Sequence, residues 1–145
     1  KTLPQLKKKY IDTGKVQLEF IDYPLDRLAV TAATLARSIP TKDGYVEAVS
    51  ILLKKQKQWA YSKNPLNELQ SIAKLFGITS KKFNDISQNI PLMQEIVTKM
   101  EKESKNFDIN STPTFIVNDK YKISGALSFK DFEKELLKSI NAKKS

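Results

Sequence analysis

Ser111-Thr112-Pro113-Thr114-Phe115-Ile116-Val117, continuing through Asn118-Asp119-Lys120 to Tyr121-Lys122-Ile123-Ser124-Gly125, is the stretch on which the fold turns. Thr114 to Val117 is an apolar, β-branched run, which packs well on a pleated surface and suits a strand. Asn118-Asp119-Lys120 is turn chemistry, and Tyr121-Lys122-Ile123 alternates again, so a β-hairpin closed by Gly125 is expected. Downstream, Ser128 with Asp131 three residues on has the form of a capping box. It opens a last helix whose buried stripe is Phe129, Phe132, Leu136, Leu137 and Ile140, and Asn141 to Ser145 reads as a frayed tail.

Upstream of the hairpin the apolar period is helical for about eighty residues, broken only by punctuation. Asp26 can cap a helix running to about Ser38. Ile39-Pro40 and Gly44 separate it from a second helix carrying Val46, Val49, Leu52, Leu53 and Trp59. Asn64 can cap a third, with Pro65 at its first position, Leu66, Leu69, Ala73 and Phe76 on one face, and Gly77 at its end. A short helix covers Ser80 to Ser87, and Asn89-Ile90-Pro91 leads into a fifth with Leu92, Met93, Ile96, Val97 and Met100 as its apolar positions.

Before this block the period is two. In Lys15 to Pro24, Val16, Leu18 and Phe20 alternate with Gln17, Glu19 and Ile21, the pattern of a strand that stops at proline. Leu3 to Thr13, with Leu3, Leu6 and Tyr10 at helical spacing and Gly14 as a stop, reads as the end of a helix that begins before Lys1. Pro4 fits either a first-turn proline or a kink in a longer helix. A buried strand cannot remain single, because its backbone donors and acceptors need partners. The strand ending at Pro24 is therefore expected in the hairpin's sheet, across the helical block. The fold class is α+β or α/β: a small mixed sheet, a helix at each end of the chain, and an inserted helical subdomain. The boundaries are 1–25 and 108–145 for the two parts of the sheet unit and 26–107 for the insertion.

Composition narrows the chemistry. With 145 residues and 40% hydrophobic content the chain can bury a core without disulfides or metal. No apolar stretch is long enough to span a membrane, so the chain as given is expected to be soluble. It has no Cys and no His, which removes thiol catalysis, the usual zinc sites and every imidazole triad from this segment. The net charge of +9 is almost all lysine, with arginine only at Arg27 and Arg37, and the lysines are spread over the helices. That reads as solvated helix faces rather than as a nucleic-acid surface, which leans on the guanidinium fork. Four glycines form no phosphate loop and no acidic pair has metal-ligand spacing with histidine, so no metal, nucleotide or flavin cofactor is indicated.

The order of elements resembles the thioredoxin fold of DsbA-like disulfide oxidoreductases, in which a helical domain interrupts the thioredoxin motif. Ser111-Thr112-Pro113-Thr114-Phe115-Ile116-Val117 is similar to that family's cis-proline loop entering the hairpin, and Ile123-Ser124-Gly125-Ala126-Leu127-Ser128 to the passage into its last helix. Leu3-Pro4-Gln5-Leu6-Lys7-Lys8-Lys9-Tyr10 followed by Gly14-Lys15-Val16 is similar to the helix that, in the family, starts at the catalytic Cys-x-x-Cys. The resemblance covers essentially the whole chain, and its specificity comes from order and spacing. It implies that the cysteine pair lies upstream of Lys1, at the start of the helix inside which the chain begins, and that with the strand before it roughly 40 or more residues precede Lys1. The segment is then a truncated or cleaved product of an active enzyme, or an incomplete record of one; a family member that abandoned the chemistry is a third reading, disfavoured because the first strand and half a helix would be gone along with the cysteines.

Three sets of residues are candidates for function. The Thr112-Pro113 bond, taken alone, is a trans bond opening a strand; taken with the order of elements and the resemblance it is cis, and Thr112 presents its N–H and C=O to an extended substrate peptide. Glu19 is a charge in an apolar strand, suited to proton transfer near the disulfide if buried and to a solvent-facing edge if not. Asp22 and Asp26 flank Pro24 and suit turn and cap roles. Tyr45, Trp59, Tyr61 and Met93 could line an apolar peptide groove, although aromatics at helical spacing are more often core.

The resemblance implies thiol-disulfide exchange on unfolded or cysteine-containing exported proteins, in a periplasmic or other oxidising compartment, with a membrane redox partner and no nucleic acid. The rival reading is a non-catalytic basic module that docks on acidic protein or nucleic acid.

Overall fold

The computed structural model describes residues 2–142. The hairpin forms as its sequence dictates. Strand β1, Thr114–Val117, pairs antiparallel with β2, Tyr121–Ser124, with Thr114 opposite Ser124 and Val117 opposite Tyr121. Asn118 and Asp119 both take left-handed backbone, φ 53° and 57°, and Lys120 N–H donates to Val117 C=O at 3.2 Å, the arrangement of a type I′ turn. Gly125, at φ 92°, donates its N–H to Pro113 C=O at 2.9 Å and lengthens the ladder by one rung.

The described residues fall into two compact units, Lys1–Ile21 with Glu101–Ser145, and Asp22–Met100. In the first, Leu6, Tyr10, Ile123, Phe132 and Leu136 form a buried cluster, with Leu3, Ile11, Val16, Leu18, Phe115, Val117, Leu127, Phe129 and Ile140 packed against it. Phe115 of β1 meets Phe132 edge to face, centroids 4.7 Å apart. Phe132 belongs to α8, Phe129–Ala142, which opens on the expected capping box: Asp131 N–H donates to Ser128 Oγ at 3.2 Å and the Ser128 hydroxyl returns to Asp131 Oδ2 at 2.7 Å. Leu137 does not join the buried stripe; it is 41% exposed, one step round the helix from Leu136. Lys143, Lys144 and Ser145 of the expected frayed tail, and the expected continuation of the first helix before Thr2, lie outside the described residues.

Helix α1, Thr2–Leu6, runs into a π turn, Lys7–Ile11, in which Asp12 N–H reaches back to Lys7 C=O at 2.8 Å. The irregularity thus begins at Lys7, three residues after Pro4. Leu6 and Tyr10 are both buried, and the Tyr10 carbonyl accepts from the N–H groups of Lys15 and Val16 at 2.9 and 3.0 Å.

Residues 15–25 correct the sequence reading. Their burial alternates as expected, with Val16, Leu18 and Phe20 half-buried and Gln17, Glu19 and Ile21 exposed. They form no strand, however. Among the described residues the sheet has two strands, β1 and β2, and is antiparallel, not mixed. Alternation records which side chains meet the core; a ladder requires a neighbouring backbone alongside, and the hairpin is not that neighbour.

In the second unit α2, Arg27–Arg37, is the central element and packs on α3, α5 and α6. Asp26 caps it through Ala29 N–H at 2.8 Å. Helix α3, Lys42–Lys54, is capped by Thr41, whose Oγ1 accepts from Gly44 N–H at 3.1 Å. The single second helix of the sequence reading is two: α4, Gln56–Ala60, starts anew after Lys55, and the Trp59 indole N–H donates to the Leu52 carbonyl at 2.9 Å, the acceptor that the next turn of α3 would have used. Helix α5, Pro65–Lys74, has proline at its first position, but the Asn64 side chain makes no cap bond. Its ψ of 68° departs from the extended backbone of Asp26 and Thr41, ψ 174° and 146°, from which a side chain reaches the helix. Helix α6, Ser80–Ser87, matches expectation and is capped by Thr79. Leu53 and Leu66, expected on apolar faces, are exposed, while Leu35, Leu69 and Thr34 are fully buried. Helix α7, Ile90–Phe107, begins in this unit, its residues from Glu101 on belonging to the first, and Asn89 Oδ1 accepts from Leu92 N–H at 3.2 Å.

Candidate functional site

The loop between α7 and β1 is built by two devices. Asp108 takes left-handed backbone, φ 50°, and ends α7. The Lys122 ammonium, from β2, then donates to the terminal carbonyls of Phe107 at 3.1 Å and Asp108 at 2.9 Å, placing a cation on the negative end of the helix. Farther along, the Thr114 hydroxyl donates to Ser111 C=O at 2.6 Å. Between these points the Thr112-Pro113 peptide bond is cis, and both residues are exposed. The carbonyl of Pro113 is taken by Gly125, whereas Thr112 makes no hydrogen bond among the described residues.

Three hydrogen bonds connect this loop to the start of α1. Pro113 C=O accepts from Gly125 N–H at 2.9 Å, Gly125 C=O from Leu127 N–H at 3.1 Å, and Leu127 C=O from the Thr2 hydroxyl at 3.1 Å. The opening turn of α1 and the cis-proline loop therefore share one end of the hairpin. Since Pro113 and Gly125 face each other across a bonded rung, the ladder bonds alternate from there, and the backbone groups of Thr114 and Ile116 point to the outer edge of β1.

The other end of the π turn is tied to α8. The Tyr10 hydroxyl donates to Glu133 Oε1, and the Lys9 ammonium lies 2.5 Å from the same oxygen. The Lys9 hydrogen bond, then that of Tyr10, holds the Glu133 carboxyl below its ordinary range; in return the Glu133 bond raises both Lys9 and Tyr10.

Glu19 is exposed, on the outward face of the alternating segment. Asp22 is more than a turn residue: its two carboxylate oxygens accept from Arg37 Nε at 2.5 Å and from the Tyr45 hydroxyl at 2.6 Å, and the Arg37 guanidinium lies 4.0 Å from the Tyr45 ring centroid. Burial, then the bond to Asp22, pushes the Tyr45 hydroxyl well above the usual phenol range. Tyr45 and Trp59 are core residues, Met93 is half-buried, and Tyr61 is 85% exposed. Among the described residues no group of acidic side chains could hold a metal ion, and no helix is long and apolar enough to cross a membrane.

Sequence reasoning missed Thr2, Leu127, Lys122 and the Lys9-Tyr10-Glu133 cluster. None carries a local signal, because each bond joins positions distant in the chain, Tyr10 and Glu133 being 123 residues apart.

Comparison with known proteins agrees with this geometry. A family model described as "Thioredoxin" matches residues 1–138, and the chain belongs to that family. Within it, the chain is a DsbA-like protein of thioredoxin fold. The crystal structure of Wolbachia pipientis alpha-DsbA1 superposes with a TM-score of 0.81 at 27% identity, covering 97% of this chain and 78% of that one. The "Putative protein-disulfide oxidoreductase" of Rickettsia typhi is 29% identical over 115 residues, 79% of this chain and 43% of that protein. Its counterpart in Rickettsia conorii is 30% identical over the same length, 79% of this chain and 42% of that protein. The chain thus spans less than half the length of these curated relatives.

Proposed function

We propose that the intact protein is a thiol-disulfide oxidoreductase of the DsbA type, with its Cys-x-x-Cys upstream of Lys1 in the helix that α1 continues. The observation that carries this is the hydrogen-bonded path from Thr2 through Leu127 and Gly125 to Pro113, which brings the first helix and the cis-proline loop to one end of the hairpin. A thiolate at the start of that helix would be favoured by the helix dipole, making it a good leaving group. A substrate thiolate attacks the disulfide, a mixed disulfide forms as the second sulfur leaves with the electron pair, and a second substrate thiol releases the enzyme as a dithiol.

Thr112 holds the substrate. Its exposed backbone, without an internal partner, is available to an extended peptide, which would add as a strand beside Pro113. Glu19 would serve proton transfer only if the upstream segment covers it. The substrates are cysteine-containing exported proteins, the compartment is oxidising, and a membrane redox partner restores the disulfide.

The test is direct. The upstream reading frame is determined, the intact protein in its disulfide form is assayed for oxidation of a dithiol peptide, and the variant with the second cysteine replaced by alanine is offered a peptide whose single cysteine is already in a disulfide with a small leaving thiol, so that the remaining thiolate displaces that thiol and stays in the mixed disulfide. Peptide oxidation together with a trapped adduct supports the proposal; a frame without a cysteine pair, or an intact protein that oxidises no dithiol peptide, removes it.

A further inference from the structure

One corner of the helical unit carries a surface that the redox chemistry does not use. Residues 48–67 contain no Asp or Glu, yet they include Lys54, Lys55, Lys57 and Lys63. All four lysines are exposed, and none makes an ion pair among the described residues, unlike Lys7, Lys9 and Lys138 elsewhere. Interleaved with them are large apolar side chains turned to solvent: Leu53 at 64%, Tyr61 at 85% and Leu66 at 50% exposure. The backbone beneath is well anchored. Trp59 is buried with its indole on Leu52 C=O, and the Gln58 amide donates to Glu68 at 2.7 Å, the first carboxylate past the stretch.

Single exposed apolar side chains such as Leu25 and Leu75 are ordinary on a protein surface, but three of them among four unneutralised cations within residues 53–66 suit a partner that takes both. From this combination we propose that the α3–α4–α5 corner, through Leu53, Tyr61, Leu66 and the four lysines, docks peripherally on an anionic phospholipid surface. Leucine and tyrosine enter the headgroup boundary, tyrosine keeping its hydroxyl at the wet level, while lysine stems lie along the apolar layer with their ammonium groups on lipid phosphates. A nucleic acid would take the cations but gives leucine no place. An acidic protein is the competing occupant, and the experiment separates it.

The intact protein is mixed with vesicles of phosphatidylcholine alone, with vesicles of equal parts phosphatidylcholine and phosphatidylglycerol, and with polyglutamate. Binding to the anionic vesicles alone, weakened by added salt, is the expected result. Each lysine near such a surface contributes roughly fivefold to partitioning, so K54Q/K55Q/K57Q/K63Q should lose several hundredfold. The charge-matched control K81Q/K82Q/K130Q/K134Q should retain most of the binding. L53S/Y61S/L66S should also lose binding, since electrostatics without inserted side chains is insufficient. The proposal is overturned by absence of binding to anionic vesicles, by equal losses in the two lysine variants, by an unaffected L53S/Y61S/L66S, or by polyglutamate binding more tightly than vesicles. The salt dependence is read on the unmodified protein and needs no variant to fold.

Discussion

The Thr2 hydroxyl donates to the Leu127 carbonyl at 3.1 Å, joining positions 125 residues apart in the chain. It closes the hydrogen-bonded path that sets α1 beside the cis-proline loop. Thr2→Val keeps the shape and the branching while removing the donor, leaving a part-buried carbonyl unsatisfied. A loss of about 1 kcal/mol is expected, seen as a lower urea midpoint with unchanged slope.

Glu133 gives the fold a pH dependence of known sign. Its carboxyl is held below its ordinary value of 4.5, so the stability it contributes is present above that value and disappears as pH falls through the lower folded-state value. Lys9 and Tyr10 are raised above 10.5 and 10.0, so their contribution is complete below those values and is lost as pH climbs past them. Glu133→Gln should therefore be less stable than the parent near neutrality and converge with it in acid. Chemical denaturation across the acid range measures this; parallel curves at all pH values would show that the cluster is not coupled to folding.

Lys122 caps the C-terminus of α7 through two carbonyls. Lys122→Met retains the stem and deletes the charge, at an expected cost of about 0.5–1 kcal/mol. The effect should be local, with faster amide exchange at Ile109, whose N–H is bonded to Ser104 C=O at 2.9 Å.

In the helical unit, Leu69 is 0% exposed. Leu69→Ala should cost about 2–5 kcal/mol, because the methyl groups removed leave a void that neighbouring helices fill only in part. Exposed Leu66, one turn earlier on α5, should tolerate alanine within about 0.5 kcal/mol. Thermal unfolding of the two variants tests the contrast.

The chain of 145 residues contains no cysteine and should neither reduce insulin nor oxidise a dithiol peptide. Turnover by the chain, with its mass verified, would require thiol-independent chemistry and would contradict the proposed mechanism.

Local signals were legible where neighbours in sequence are neighbours in space. The hairpin, its turn, the capping box at Ser128 and Asp131, and the cap at Asp26 could all be read from composition and spacing, since each is closed within a few residues. The cis-proline loop became readable through the order of elements and the resemblance to a known family, not through its own residues.

Pairing and solvent exposure are settled elsewhere. The alternation of residues 16–21 correctly gave the inward face, but whether a backbone lies alongside depends on the rest of the fold, and there the expected third strand fails. Leu53, Leu66 and Leu137 have the spacing of core residues and yet face water, because a helical stripe is buried only as far as its neighbours reach. Sequence by itself thus determined the helical block, the hairpin with its turn and the last helix, through short-range sterics and hydrogen bonding, and the family through their order. The tie from Thr2 to Pro113, the Lys9-Tyr10-Glu133 cluster and the uncovered corner at Tyr61 were decided by tertiary structure alone, since each depends on which distant groups meet once the core has closed.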